Sequence, residues 1–431
     1  ELTDCLLGFR YWIDEPGNDA MWFWSENHAL MFHTCQLLAG ELFPDEVFTN
    51  SGLTGRQMQA KAKNMLYDWF VTFRKEGFTE WNSSPYLPID TLGFGSLYAF
   101  AQDPAMRELG REGMDFAYYL LAVHSQQGIF ASSSGRTYIK EQFGNWSNCP
   151  SGLSWIGYGY GVPGHAGKGI TSYCLSDYEP PKEFAQWFSI PRGKEMICQT
   201  TQGNDGYVDL YTYKTADYMM TSANDFHPGE PGHQENPFQL TFNAVAQLWV
   251  THPGERVLFG AARPSYWAGN GTLPKVNQYK AFAGLIYDIA PEHPVDFTHL
   301  YLPSMEFDRC EVEGKWAFVQ LGSAYAAVYC SNGMRMQDFG SNKDRECIAE
   351  GRRCIWLVRA AQADEFAAFE DFKAAMRGAA LDADAEGRRY RFVDPIYGEL
   401  RCQWGETLYV NDAPMQYSGF DNYGKLTMQE K

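Results

Sequence analysis

The sequence predicts an α+β multidomain chain, a helical domain over residues 1–190 followed by an antiparallel β-sandwich over 191–431. Three observations lead there. In the first part, apolar residues recur at helical period in runs closed by glycine. After about residue 190, short runs rich in Val, Tyr, Phe and Thr alternate at period two. The length of 431 residues, at about 150 per domain, also exceeds what one core ordinarily serves.

Residues 20–40 (AMWFWSENHALMFHTCQLLAG) predict a helix apolar nearly all round, with Gly40 as its stop. Residues 56–76 carry a 3.6-period stripe closed by Gly77, and further helices are expected at about 89–102 and over 104–126. The connecting segments 48–55, 77–90 and 130–146 hold unusual polar and aromatic residues, as loops bordering a binding cleft do. Strands are expected in GYVDLYTYKTADYMMTSA, PFQLTFNAVAQLWVTH, KWAFVQLGSAYAAVYCS, CIWLVRAA and RRYRFVDPIYGELRCQW, interrupted by one helix at about 363–377. The boundary is placed near Pro191.

Composition narrows the function. Apolar residues at 45% and charged residues at 20% exclude disorder, and no run approaches the roughly 18 apolar residues of a membrane span. A net charge of −18 repels nucleic acid and anionic lipid, so an acidic ligand needs a local cationic pocket. Aromatic residues reach 16%, and their rings stack on sugar faces as readily as they fill cores. Ten scattered cysteines show no CxxC pair and no zinc spacing, so they read as free thiols. They favour a reducing compartment, the cytoplasm ahead of a bacterial periplasm. The chain opens Glu-Leu-Thr, without Met or a leader, so a preceding portion is expected.

The sharpest local signal is Trp24-Ser25-Glu26-Asn27-His28 within the apolar run. Adjacent helical positions project about 100° apart, so Asn27 and His28 can border one concave surface. A buried pair satisfied by backbone carbonyls is the ordinary alternative. GFTEWNSSPY adds Glu80, Asn82 and Tyr86, and DFHPGEPGHQENPFQLTF adds His227, His233 and Glu235 before a strand. Asn27-His28, Tyr86 and a His opening a strand after a Gly-rich turn (GHQENPFQLTFNAVAQLWVTHPG) resemble the heparinase II/III-like polysaccharide lyases and their alginate-lyase relatives. The resemblance implies an incomplete α/α toroid followed by an antiparallel sandwich, with uronate polysaccharides cut in the cleft between them. It also implies that Asn27 binds the uronate carboxylate and that Tyr86 and His233 transfer protons. Glu235 stands where the family's His-x-Asp motif usually has Asp.

The chemistry suits these residue types. β-Elimination removes the C5 proton beside a carboxylate and expels the 4-oxygen, which requires a neutralised carboxylate, a base and an acid. Asn27 and His28 are candidates for the carboxylate and the enolate-like charge. Tyr86 is the candidate acid, and Tyr86 or His233 the base. A phenol acting as base needs cationic neighbours, and Arg136 is the candidate, with Tyr138 as a substitute for Tyr86. Arg136 could equally be an ordinary ion pair with Glu141. Glu26, Glu80, Asn82, Arg136, Tyr138 and Glu235 complete the expected substrate contacts; no cofactor and no metal are called for, and the partner is a uronate-containing glycan.

Two alternatives stand beside this. Glu26, Glu80, Asp90, Glu141 and Glu235 offer paired carboxyls for a glycoside hydrolase such as a uronidase, and aromatic content alone would suffice for a non-catalytic glycan-binding protein. GYGYGVPGHAGKGITS fails the phosphate-loop spacing and reads as a loop over the cleft, with His165 or Tyr160 as possible contacts. His124, His293 and His299 are expected to be structural, and no ligand spacing supports a metal at His227, His233 and His252.

Overall fold

The computed structural model describes residues 1–144, 148–163, 168–204 and 207–431; His165 lies outside them. The expected order holds, a run of helices followed by antiparallel sheets. A short α1 (Leu2–Gly8) precedes α2 (Glu26–Leu42), α3 (Gly55–Glu76), α4 (Leu87–Phe100) and α5 (Pro104–His124), and α2 packs on α3 as α4 packs on α5. The α3 start follows from its sequence: the Thr54 hydroxyl accepts from the Gln57 N–H while the Gln57 side chain accepts from the Thr54 N–H. Phe70, Phe73, Phe94 and Phe116 interlock at the centre of the helical core. Gly113 allows this, because a Cβ there would overlap the Phe94 ring.

The first long helix starts later than its apolar run predicts. Trp22 takes a left-handed φ of 52° and Ser25 is the extended N-cap, so the helix begins at Glu26. Asn27 and His28 therefore occupy the first turn of α2, where backbone N–H groups are free. Likewise the helix expected at about 363–377 runs from Phe369 to Gly378.

The large sheet has nine strands, in spatial order Arg335–Met336, Glu346–Glu350, Phe297–Tyr301, Gln247–Thr251, Phe238–Thr241, Met219–Asn224, Val208–Lys214, Lys194–Gln202 and Lys425–Glu430, each antiparallel to its neighbours. A six-stranded antiparallel sheet, from Arg309–Glu313 to Lys275–Tyr279, faces it across one apolar core. A five-stranded sheet joins that core through Phe392, which stacks on Phe282. The period-two pattern explains the arrangement, since successive side chains point to opposite faces. Tyr211 and Tyr213 enter the sandwich core while Thr212 between them bonds His124 of α5 at 3.0 Å. Met196 and Cys198 join the helical core, and Ile197 packs on the other side. The nine-stranded sheet is thus a wall shared by sandwich and helices. Among the described residues no helix is long and apolar enough to cross a membrane. All ten cysteines are free thiols.

Candidate active site

The loop 131–138 holds the site together because it is stitched to both sides. Toward the helices, the Gly135 N–H donates to the Trp81 carbonyl at 2.8 Å and the Ser83 hydroxyl donates to the Arg136 carbonyl at 3.0 Å. Gly135 is required there, since a Cβ would press into the Trp81 ring. Toward the sheets, Ser134 and Asn236 exchange backbone hydrogen bonds of 2.9 and 2.7 Å, and the Thr137 N–H donates to the Gln234 carbonyl at 3.0 Å.

Side chains converge on this loop. The Tyr86 and Tyr138 hydroxyls are hydrogen-bonded at 2.8 Å. Arg136 lies 5.9 Å from the Tyr86 ring centroid, donates to Glu80 at 2.7 Å and donates to the Gln234 side-chain amide oxygen at 2.6 Å. It pairs with Glu80 and not with Glu141, whose carboxylate accepts from the Cys149 thiol. Arg263 lies 5.7 Å over the Tyr138 ring, exposed, with no carboxylate partner among the described residues. Nothing in the local sequence singled out Arg263 or Gln234; a cation in a loop of the sheet half was the only available signal.

Charge around Tyr86 departs from expectation. Burial pushes its phenol well up, the bond to Tyr138 and the charge of Glu80 add to that, and Arg136 only partly offsets it. Tyr86 is therefore held protonated, the state of a proton donor and not of a base. Burial also raises the Glu26 carboxyl to about 7, with Glu80 adding to it, although Glu26 accepts the Thr79 N–H at 2.9 Å and the Glu80 N–H at 3.4 Å. Asp90, 3% exposed, is raised well above the usual carboxylate range by burial and then by Glu26 and Glu80.

Glu26 and Glu80 also border an open pocket of about 410 Å³ walled by Trp24, Trp69 and Phe73, with Thr79 and Asn204 as polar groups. Trp24 is 61% exposed at its mouth, and Trp69 is anchored by its N–H to the Glu26 carbonyl at 3.2 Å. Asn27 is buried beside this pocket, its side-chain oxygen accepting from the Ser25 hydroxyl at 3.3 Å, and the same hydroxyl contacts the His28 ring. The pair is thus tied to its own N-cap rather than to the backbone of a helix interior.

The remaining predicted residues lie apart from the tyrosine pair. Asn82 has a left-handed φ of 48° and is 2% exposed, and both its amide atoms face a small polar chamber also lined by Ser84, Ser132, Gln239 and Gln247. His233 is exposed, and Glu235 folds back to accept the His233 backbone N–H at 2.5 Å without touching the imidazole. In the bend that holds both residues, Gln234 is buried and reaches Arg136 while His233 is exposed. Among the described residues no three His, Cys, Asp or Glu side chains are grouped to hold a metal ion.

No protein-family model and no curated protein matches this sequence. Two solved structures are similar in arrangement. One, described as the crystal structure of heparinase III, is 8% identical, with 95% of this chain and 69% of that chain covered and a TM-score of 0.42. The other, a heparinase III gene product, is 11% identical, with 94% and 66% covered and the same TM-score of 0.42.

Proposed function

We propose that this protein cleaves uronic-acid-containing glycans by β-elimination in the cleft between its helices and sheets. The observation that supports it most is the Tyr86–Tyr138 pair, hydroxyl to hydroxyl at 2.8 Å, flanked by Arg136 and Arg263. Elimination needs one group to take the C5 proton and another to give one to the departing 4-oxygen. Tyr86, held protonated by burial, serves as the acid. The hydrogen-bonded pair works as a relay: the C5 proton passes to the Tyr138 oxygen as the Tyr138 proton crosses the 2.8 Å hydrogen bond to Tyr86 and the Tyr86 proton goes to the 4-oxygen, so the pair ends as it began. Arg263, free of any carboxylate among the described residues, meets the substrate carboxylate or the charge that develops beside it. Arg136 is committed to Glu80 and Gln234 and positions Tyr86. Asn27 and His28, in the first turn of α2, are assigned to the sugar next along the chain, against the Trp24 and Trp69 faces. His233 has no step in this scheme.

Incubation with alginate, glucuronan, heparan, hyaluronan and rhamnose-glucuronate oligomers tests it. The expected result is the ultraviolet absorbance of an unsaturated uronate, without added cofactor. One observation favours a second mechanism: Glu26, raised to about 7, is poised like the general acid of a glycoside hydrolase, with Glu80 beside it. Release of saturated uronate with no absorbance rise would select that hydrolase.

A further inference from the structure

The helix that follows Tyr138 leads directly to a second cavity. Tyr138 is the N-cap of α6 (Ile139–Phe143), and Phe143 at its far end borders a cavity of about 440 Å³ with Tyr301, Met305, Lys343 and Arg345. At about 1.5 Å per residue, five residues carry the chain roughly 8 Å, a span that a short oligosaccharide covers. The volume lies within the range of small-ligand sites, about 300 to 1,000 Å³.

Its walls are built and not incidental. Tyr301 stacks on Trp249 at 3.9 Å and meets Phe143 edge-on at 5.1 Å, so both rings are fixed. The opposite wall is pinned by the Leu302 N–H donating to the Arg345 carbonyl and the Ser304 N–H donating to the Asp344 carbonyl, both at 2.9 Å. The charged groups are unevenly committed. Lys343 reaches Asp344 only at 3.9 Å, and Arg345 is exposed with no carboxylate partner among the described residues. Glu306 and Asp344 also line the cavity, so its formal charge is balanced, on a protein whose net charge is −18. A pocket that is neutral on so acidic a protein, with an aromatic border and an uncommitted guanidinium, fits an anionic sugar.

We infer that this cavity is a distal subsite for an anionic saccharide unit of the same glycan chain that reacts beside Tyr138, its carboxylate or sulfate held by Arg345 with Lys343 and its ring bordered by Tyr301 and Phe143. This rests on the uronate reading above and extends it, because it makes recognition depend on chain length. A glycan long enough to bridge the two places binds more tightly, whereas one confined to the tyrosine pair does not gain.

The test compares wild type, Arg345→Glu and Lys343→Glu on disaccharides and decasaccharides of heparan sulfate, hyaluronan and alginate. Binding is read by titration calorimetry and cleavage by ultraviolet absorbance. Both side chains are exposed, so unchanged thermal unfolding is expected of the variants. The expected result is tighter wild-type binding of the decasaccharide, weakened about tenfold by Arg345→Glu, the loss of one charged contact. Lys343→Glu acts in the same direction, and disaccharide affinity and kcat stay unchanged. Equal wild-type affinity for both lengths, or equal loss for both in the variants, overturns the subsite while leaving the elimination reading intact. Binding with this length dependence but without cleavage leaves the subsite standing and removes the lyase. No binding of any of the glycans removes both.

Discussion

Two groups of carboxylates, one in the sandwich and one in the cleft, show how the same residue types serve opposite ends. In the sandwich, Arg359 is 2% exposed and donates to Asp394 and Glu365, each at 2.7 Å, while Lys431 reaches Glu365 at 2.6 Å. Burial disfavours the Arg359 charge, but these carboxylates and the Tyr397 ring at 4.2 Å outweigh it, and the guanidinium stays charged. In the cleft, Glu80 is paired with Arg136, while Glu26 and Asp90 have no ion pair among the described residues. Burial raises those two carboxyls instead, Glu26 to about 7. A buried ionic cluster balanced by cations is structural; one short of cations holds protons near neutral pH, which reaction chemistry uses and stability does not.

The comparison breaks most visibly at Arg359. Arg359→Ala leaves Asp394 without a cation and Glu365 with Lys431 alone, and should reduce unfolding free energy by about 3 to 5 kcal/mol in urea titration. A loss below 1 kcal/mol would mean the sandwich cluster is no better compensated than the cleft. Next comes Tyr86→Phe, which keeps the ring and removes the hydroxyl with its bond to Tyr138. Turnover should fall by about 10² to 10⁴, with little change in the unfolding midpoint. Wild-type turnover in that variant would take Tyr86 out of the chemistry.

A smaller effect is expected at Arg263, which is exposed and bound to no carboxylate. Arg263→Ala should lower kcat/KM about tenfold and leave Tm nearly unchanged, through KM where Arg263 meets the bound carboxylate and through kcat where it meets the developing charge. Loss of Tm without a kcat/KM change would make it structural, like Arg359. The smallest effect sharpens the pH side. The native Glu26 carboxyl holds its proton more tightly than an unfolded one, so its contribution to stability is present below about 4.5 and is lost as pH rises through about 7. Glu26→Gln removes that loss. Its Tm relative to wild type should rise between pH 4.5 and 8, and a flat difference across that range would show that Glu26 is not raised in the folded state.

Much of the fold was legible in the sequence, and particular residues show why. The stripe over 56–76 ends at Gly77, and a helix of that length is a local object, set by period and by caps such as Thr54 with Gln57. The strands beyond residue 190 announced themselves through alternation, because each has one side on a core. The start of α2 was misplaced because an apolar run does not reveal a left-handed turn at Trp22. At the site, Asn27 and His28 stood out as polar residues within an apolar run, and Glu80, Tyr86, Arg136 and Tyr138 as polar or aromatic residues in unusual loops. Their pairing did not, and Arg136 could be read as a neighbour of Tyr86 or as an ion pair with Glu141, whereas it pairs with Glu80.

By itself the amino-acid sequence determined the helical and stranded halves, their order and the polar segments that end up between them, since these depend on period, capping and composition over neighbouring residues. Only the tertiary structure decided which of those polar groups meet. Tyr86 and Tyr138 are 52 residues apart, and Arg136 and Gln234 are 98 apart. Whether a phenol gives or takes a proton depends on how deeply it is buried and which charges surround it, and whether His233 or Gln234 turns inward depends on how the bend that holds them is seated. Those are sums over contacts distant in sequence, so no local pattern along the chain carries them.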